Sequence, residues 1–144
     1  MPDISQQIDS LQRLCSLSEP NADDVFNAGR LVMDLGHRDL RAFPRFDFRA
    51  ASEKVRRLYR SLLDAQPGDA RCLNDLSALL LSCGELKEGR SFALMALAAA
   101  PGIRTVHENL RIADFCCQIS PLHEVPPLAP SEAFLLAYFD PHAH

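Results

Sequence analysis

The chain has 144 residues, 47% hydrophobic and 24% charged, the composition of a folded globular domain and far from that of a disordered segment. A net charge of −4 and a pI near 5.7 argue against any broad electrostatic attraction to nucleic acid or anionic lipid. No window of about 18 apolar residues occurs, which excludes a transmembrane helix, and the N-terminus lacks the basic-then-apolar run of a secretory signal.

Asp3 is placed to cap a first helix in which Ile4, Ile8, Leu11 and Leu14/Cys15 form one apolar stripe ending near Leu17. Pro20 separates it from a second helix, capped by Asn21, favoured at its positive end by Asp23 and Asp24, and stopped at Gly36. The stretch from His37 to Asp47 contains Pro44 and no clear period, and reads as a loop. A third helix is expected from about Arg49 to Ala65, with Val55, Leu58/Tyr59, Leu62 and Leu63 on one face, closed by Pro67-Gly68.

Asp69 then caps a fourth helix running to about Cys83, before Gly84, and a fifth covers Lys87 to Ala100 up to Pro101-Gly102. The sixth, Thr105 to Gln118, carries Val106, Leu110, Ala113 and Cys117 on its apolar side. Residues 120–130 hold four prolines and favour an extended strap, followed by a short helix from Ala133 to Phe139. No strand pattern competes, so the expected class is all-α.

Pro67-Gly68 and Pro101-Gly102 stand 34 residues apart, and between them lie Leu73, Leu76, Ser77 and Leu80, then Gly89, Ala93, Ala96 and Leu97. Large side chains on one helix facing small ones on the next permit close helix approach. In period and in size pattern this stretch resembles a tetratricopeptide repeat. The resemblance covers a well-matched unit at 70–101. An earlier unit at 22–67 carries Val25, Ala28, Gly29 and Val32, then Val55, Tyr59 and Leu62, with an insertion where the family has a tight turn. A partial unit at 104–118 keeps Leu110 but has His107 and Asp114 at positions matching Leu73 and Leu80.

The resemblance implies antiparallel helical hairpins stacked as a short right-handed array over 1–119, whose open ends need capping helices. The first helix serves one end. The strap and last helix at 120–144 would pack on the domain or on a partner, and the exposed apolar run Ala133–Phe139 would alternatively form a homodimer contact.

In this family the first helix of each unit lines the inner groove. Here that implies a binding surface of Asn27, Arg30, Asp34, Arg71, Asn74, Asp75, Ala78, Glu108, Asn109 and Ile112, with Asp23, Phe26, Met33, Leu81 and Thr105 also at groove-lining positions. Asn27, Asn74 and Asn109 would offer a donor and an acceptor to an extended peptide, and Arg30 and Arg71 would fork onto carboxylates. Each polar residue also suits a solvated helix face. The lysine and arginine pattern of members that clamp a C-terminal carboxylate is missing.

The loop interleaves Arg38, Arg41, Arg45 and Arg49 with Phe43, Phe46 and Phe48. Packing onto the helices ranks first for it, contact with a protein through Phe43, Arg45 and Phe46 second, and stacking on nucleic acid a distant third. Asp140, His142 and His144 read as an incidental tail rather than a metal site, and Cys116-Cys117 as small buried hydrophobes. The five cysteines, odd in number and without a Cys-x-x-Cys pair, read as reduced thiols and point to the cytoplasm.

No Gly-x-Ser-x-Gly, His-Glu-x-x-His or phosphate-cradling glycine loop occurs, and no cofactor is expected. The sequence is thus read as a non-enzymatic adaptor, chaperone or assembly factor that binds a peptide or protein. The alternative is an accessory subunit that docks a partner through the 37–48 loop and the C-terminal helix.

Overall fold

A computed structural model of the chain describes residues 3–119. The proline-rich strap, the last helix, its homodimer contact and the Asp140, His142, His144 tail lie outside the described residues. Within them every regular element is an α-helix: α1 (Ile4–Cys15), α2 (Ala22–Leu35), α3 (Phe48–Ala65), α4 (Ala70–Ser82), α5 (Leu86–Ala99) and α6 (Arg104–Ile119). None is long and apolar enough to cross a membrane.

Local chemistry starts these helices. Asp3 accepts from the Gln6 amide at 2.8 Å while the Gln6 side chain accepts from the Asp3 amide at 3.1 Å, a reciprocal cap that satisfies two otherwise orphaned donors. Asn21 and Asp24 repeat it at 2.8 and 3.0 Å. Asp47 accepts from the Ala50 amide at 3.0 Å to open α3, and Asp69 from the Cys72 amide at 2.9 Å to open α4. Gly36 ends α2 in a right-handed conformation, φ −61°. Gly84 ends α4 differently: its φ is 88°, its amide donates to Leu81 O and the Glu85 amide to Leu80 O. That pair of bonds is a Schellman closure, and it requires the left-handed backbone that glycine adopts without a Cβ penalty.

The chain divides into two compact units, with the boundary between Leu62 and Leu63 in the last turn of α3. In the first, α1 packs on α2 through a core that includes Ile8, Leu11, Leu14, Val25, Ala28, Val32 and Leu35. Burial of a Val, Leu or Ile side chain among these stabilises the fold by about 1.5–3 kcal/mol. From α3, Val55 and Tyr59 are fully enclosed, and the Tyr59 ring lies 5.9 Å from that of Phe26. It also covers Gly29, where an added Cβ would fall 2.9 Å from Tyr59 Cε2. A small residue on α2 thus lets the aromatic ring of α3 in.

In the second unit α4 packs against α5 and α6, and α5 against α6. Ten consecutive residues of α4, Cys72 to Leu81, are buried. The partner α5 supplies small residues, Gly89, Ala93 and Ala96. A Cβ on Gly89 would approach Leu81 Cδ2 to 2.9 Å, and the buried Ser77 hydroxyl donates to the Gly89 carbonyl at 2.7 Å. The inward side of α6 is Val106, Asn109, Ala113 and Cys116. Cys116 rather than Cys117 is therefore the enclosed thiol; Cys117 is half-buried and points its sulfur at the Leu86 carbonyl, 3.7 Å away.

The two mismatched positions of α6 have found polar partners. Asp114 accepts from Arg90 Nε of α5 at 2.6 Å, and the exposed His107 donates through Nε2 to the Pro101 carbonyl. Side chains too polar for a core are accommodated where α6 meets α5 and the preceding turn.

Candidate functional site

Two concavities of the first unit gather polar or aromatic side chains, and each has α1 as one wall. The first, of about 390 Å³, is lined by Gln7, Ser10, Arg13 and Leu14 from α1 and by Asp24, Asn27, Arg30, Leu31 and Asp34 from α2. Both sets recur at three- and four-residue intervals, so each is one helical face. Asn27, Arg30 and Asp34, expected at a groove, lie together here and are exposed.

The cleft carries two arginines and two aspartates, a formal balance of zero. Asp24 serves both the cleft and the start of α2, since its Oδ2 accepts from the Asn21 amide at 3.0 Å. Gln7 is absent from the residues expected from sequence. It is 3% exposed, and its Oε1 is buried without a hydrogen-bond partner. Leaving a buried acceptor unsatisfied costs about 1–3 kcal/mol. Its neighbour Ile8 belongs to the apolar stripe, and the periodicity singled out that residue and not Gln7.

The second concavity, of about 340 Å³, is lined by Ile8, Gln12, Ala42, Phe43, Pro44, Arg45 and Phe46. The loop is folded in short turns, with the Phe43 amide donating to Leu40 O at 2.9 Å and the Phe46 amide to Phe43 O at 3.1 Å. Phe46 meets Phe48 edge-on at 6.4 Å. The phenylalanines are half-buried and Arg41, Arg45 and Arg49 exposed. Arg41 forks onto Asp39 at 2.7–3.1 Å, and this pairing holds the Asp39 carboxyl below its usual range. Arg49 pairs with Glu53 at 3.5 Å. Arg41 and Arg49 are thereby matched by carboxylates of the chain itself.

The groove positions expected in the second unit are placed differently. Asn74, Asp75, Ala78 and Asn109 are at most 1% exposed, so they line no open surface of the chain. The two amides bond each other, Asn109 Nδ2 donating to Asn74 Oδ1, and tie α4 to α6. Arg71 sits 3.9 Å from Asp75; Glu108 accepts from Arg104 Nε at 2.9 Å; Ile112 is half-buried. The reason is the enclosure of α4, which has no solvent-facing stripe left over these residues. Of the further groove positions expected, Phe26 forms a tilted ring pair with Tyr59 and Met33 is 1% exposed.

Cys72 is no candidate nucleophile. Burial, reinforced by the nearby Asp69 and Asp75 charges, pushes its thiol up to about 12, and the reactive thiolate is suppressed at neutral pH. Burial raises the Cys15 thiol as well. Among the described residues no group of three His, Cys, Asp or Glu side chains is arranged to hold a metal ion. Compared with family models, curated proteins and solved structures, the chain finds no match in any of the three.

Proposed function

We propose that this protein is a non-enzymatic helical-repeat module, a short tetratricopeptide-like array, that binds a peptide or protein segment as an adaptor, chaperone or assembly factor. The observation that carries the reading is the convergence of Asn27, Arg30 and Asp34 on one cleft with Gln7, Ser10 and Arg13. Exposed amide, guanidinium and carboxylate groups over a partly apolar wall suit a polypeptide, which offers donors, acceptors and aliphatic carbon together. The repeat architecture is supported by two close approaches, Gly29 under Tyr59 and Gly89 under Leu81. The ligand surface belongs to the earlier unit.

Panning a displayed library of random twelve-residue peptides on the full chain tests this. Retained peptides are expected to lose at least ten-fold in affinity with Asn27→Ala and Arg30→Ala combined, and to be indifferent to Phe46→Ala. Failure to retain any peptide, or indifference to the Asn27 and Arg30 changes, would refute the reading.

A second reading, docking of an enzyme or other partner through the loop, draws on the cavity between Ile8 and Phe43, Arg45 and Phe46. Half-buried aromatic rings beside an exposed arginine have the composition of an interface anchor. Under this reading Phe43→Ala or Phe46→Ala removes partner binding, whereas the Asn27 and Arg30 changes leave it intact.

A further inference from the structure

The loop pocket and the α1–α2 cleft share no residue, and they differ in charge. The cleft sets two arginines against two aspartates, whereas the pocket is lined by Arg45 and by no carboxylate. Arg45 is exposed, and among the described residues no carboxylate pairs with it, while its neighbours Arg41 and Arg49 are matched by Asp39 and Glu53. The bias extends beyond the pocket. Residues 37–64 carry eight Lys or Arg and four Asp or Glu, a net +4, and the rest of the chain seven and fifteen, a net −8.

Helix α3 continues the same sign away from the loop. Counted from Arg49, Arg56, Arg57 and Arg60 follow at seven, eight and eleven residues, so the four share one side of the helix, turned away from the buried Val55 and Tyr59. Arg56 donates to the Ser52 hydroxyl at 3.0 Å, a neutral partner that leaves its charge uncompensated.

The remaining lining is mostly apolar. Half-buried Phe43 and Phe46 and exposed Ala42 and Pro44 border about 340 Å³, near the lower end of the roughly 300–1,000 Å³ usual for ligand sites. One large apolar side chain suits that space, and the exposed Gln12 offers an amide donor and acceptor to the main chain that carries it. A basic segment would meet Arg45 and the charge of α3. A nucleic acid would meet the net −8 of the rest of the chain, and Phe46 and Phe48 stand at 67° to each other instead of presenting parallel faces for stacked bases. An apolar residue beside acidic ones meets neither obstacle.

We infer that the loop pocket is a docking site for an acidic polypeptide segment, which seats one large apolar side chain against Phe43 and Phe46 and sets a neighbouring carboxylate on Arg45. The inference rests on the second reading, docking through the loop, and supplies the chemistry of its partner.

The test titrates isotope-labelled full chain with capped seven-residue peptides whose central phenylalanine is flanked on both sides by aspartates, serines or lysines. A fourth peptide has alanine between the aspartates, and the amide resonances of Phe43, Arg45 and Phe46 report occupancy. The aspartate peptide is expected to bind at least three-fold tighter than the serine peptide and tighter still than the lysine peptide, with the preference shrinking as salt is raised, because exposed charges are screened. Arg45→Glu, at an exposed position, erases the preference over serine. Phe46→Ala weakens all three phenylalanine peptides at least three-fold; the alanine-centred peptide, which removes the anchor without touching the protein, is weaker by at least the same factor.

Tighter binding of the lysine peptide, an aspartate preference that survives Arg45→Glu, or an absence of shifts with all four peptides overturns the inference. So does tighter binding of a single-stranded oligothymidylate than of the aspartate peptide at the same salt, which would assign this face to nucleic acid. Equal binding of the serine and aspartate peptides, lost with Phe46→Ala, defeats this inference and leaves loop docking standing. An aspartate preference indifferent to Phe43→Ala, to Phe46→Ala and to the alanine-centred peptide defeats both.

Discussion

The ring of Tyr59 lies against Gly29 so closely that one added carbon would come within 2.9 Å of Cε2. Tyr59 is fully buried, so its ring cannot swing aside. Gly29→Ala gains about 0.8–1 kcal/mol of helix propensity but incurs an overpacking cost of about 1–3 kcal/mol, for a net loss of up to about 2 kcal/mol. Gly68→Ala, where a Cβ meets nothing within 4 Å, is the matched control and should be close to neutral. Denaturant midpoints at unchanged slope measure both; a stabilised Gly29→Ala would refute the packing.

Asn109→Ala is expected to lower stability by about 1–3 kcal/mol, because it removes a donor from a buried carboxamide oxygen. Neither Asn74 nor Asn109 is exposed, so peptide affinity measured on the folded protein should not change. An Asn109→Ala chain with parental stability and weakened binding would return these amides to the ligand surface.

Gly84→Ala strains the α4–α5 turn, since a left-handed backbone with a Cβ costs about 1–2 kcal/mol. Gly84→Asn should recover part of that loss, asparagine being the side chain that best tolerates this conformation. Equal stability of all three chains, read by thermal melting, would contradict the Schellman closure.

The Cys72 thiol gives the protein an alkaline weakness. In the unfolded chain it ionises near 9, in the folded protein at about 12. Between these values the unfolded state holds fewer protons than the native one, so stability falls as pH rises; below the lower value the contribution is fully present. Cys72→Ala should flatten this part of the stability–pH curve relative to the parent. Iodoacetamide at neutral pH should label the exposed Cys83 and spare Cys72.

The helix starts were legible at Asp3, Asn21 and Asp69 because an N-cap needs only its own side chain and the next few amides. Asp47 does the same for α3, but it lies among Phe43, Pro44, Phe46 and Phe48, where no periodic pattern marks a boundary. That Gly89 faces large side chains of α4 agrees with the expected size pattern, whereas the approach of Tyr59 to Gly29, large on the second helix and small on the first, was not foreseen. Nor does spacing show which polar side chains stay open. Asn27 and Asn74 have the same chemistry and were both expected on a groove, yet one lines a cleft and the other is sealed against Asn109. That difference arises from neighbours far along the chain, as does the enclosure of Gln7.

With ten residues in succession shielded from water, α4 offers its amide hydrogens no local route to solvent. Fraying at the ends cannot release Leu76 or Leu79; their exchange with deuterium waits for the second unit to open as a whole. The slowest amides of α4 therefore form an internal gauge, recording how often that unit comes apart.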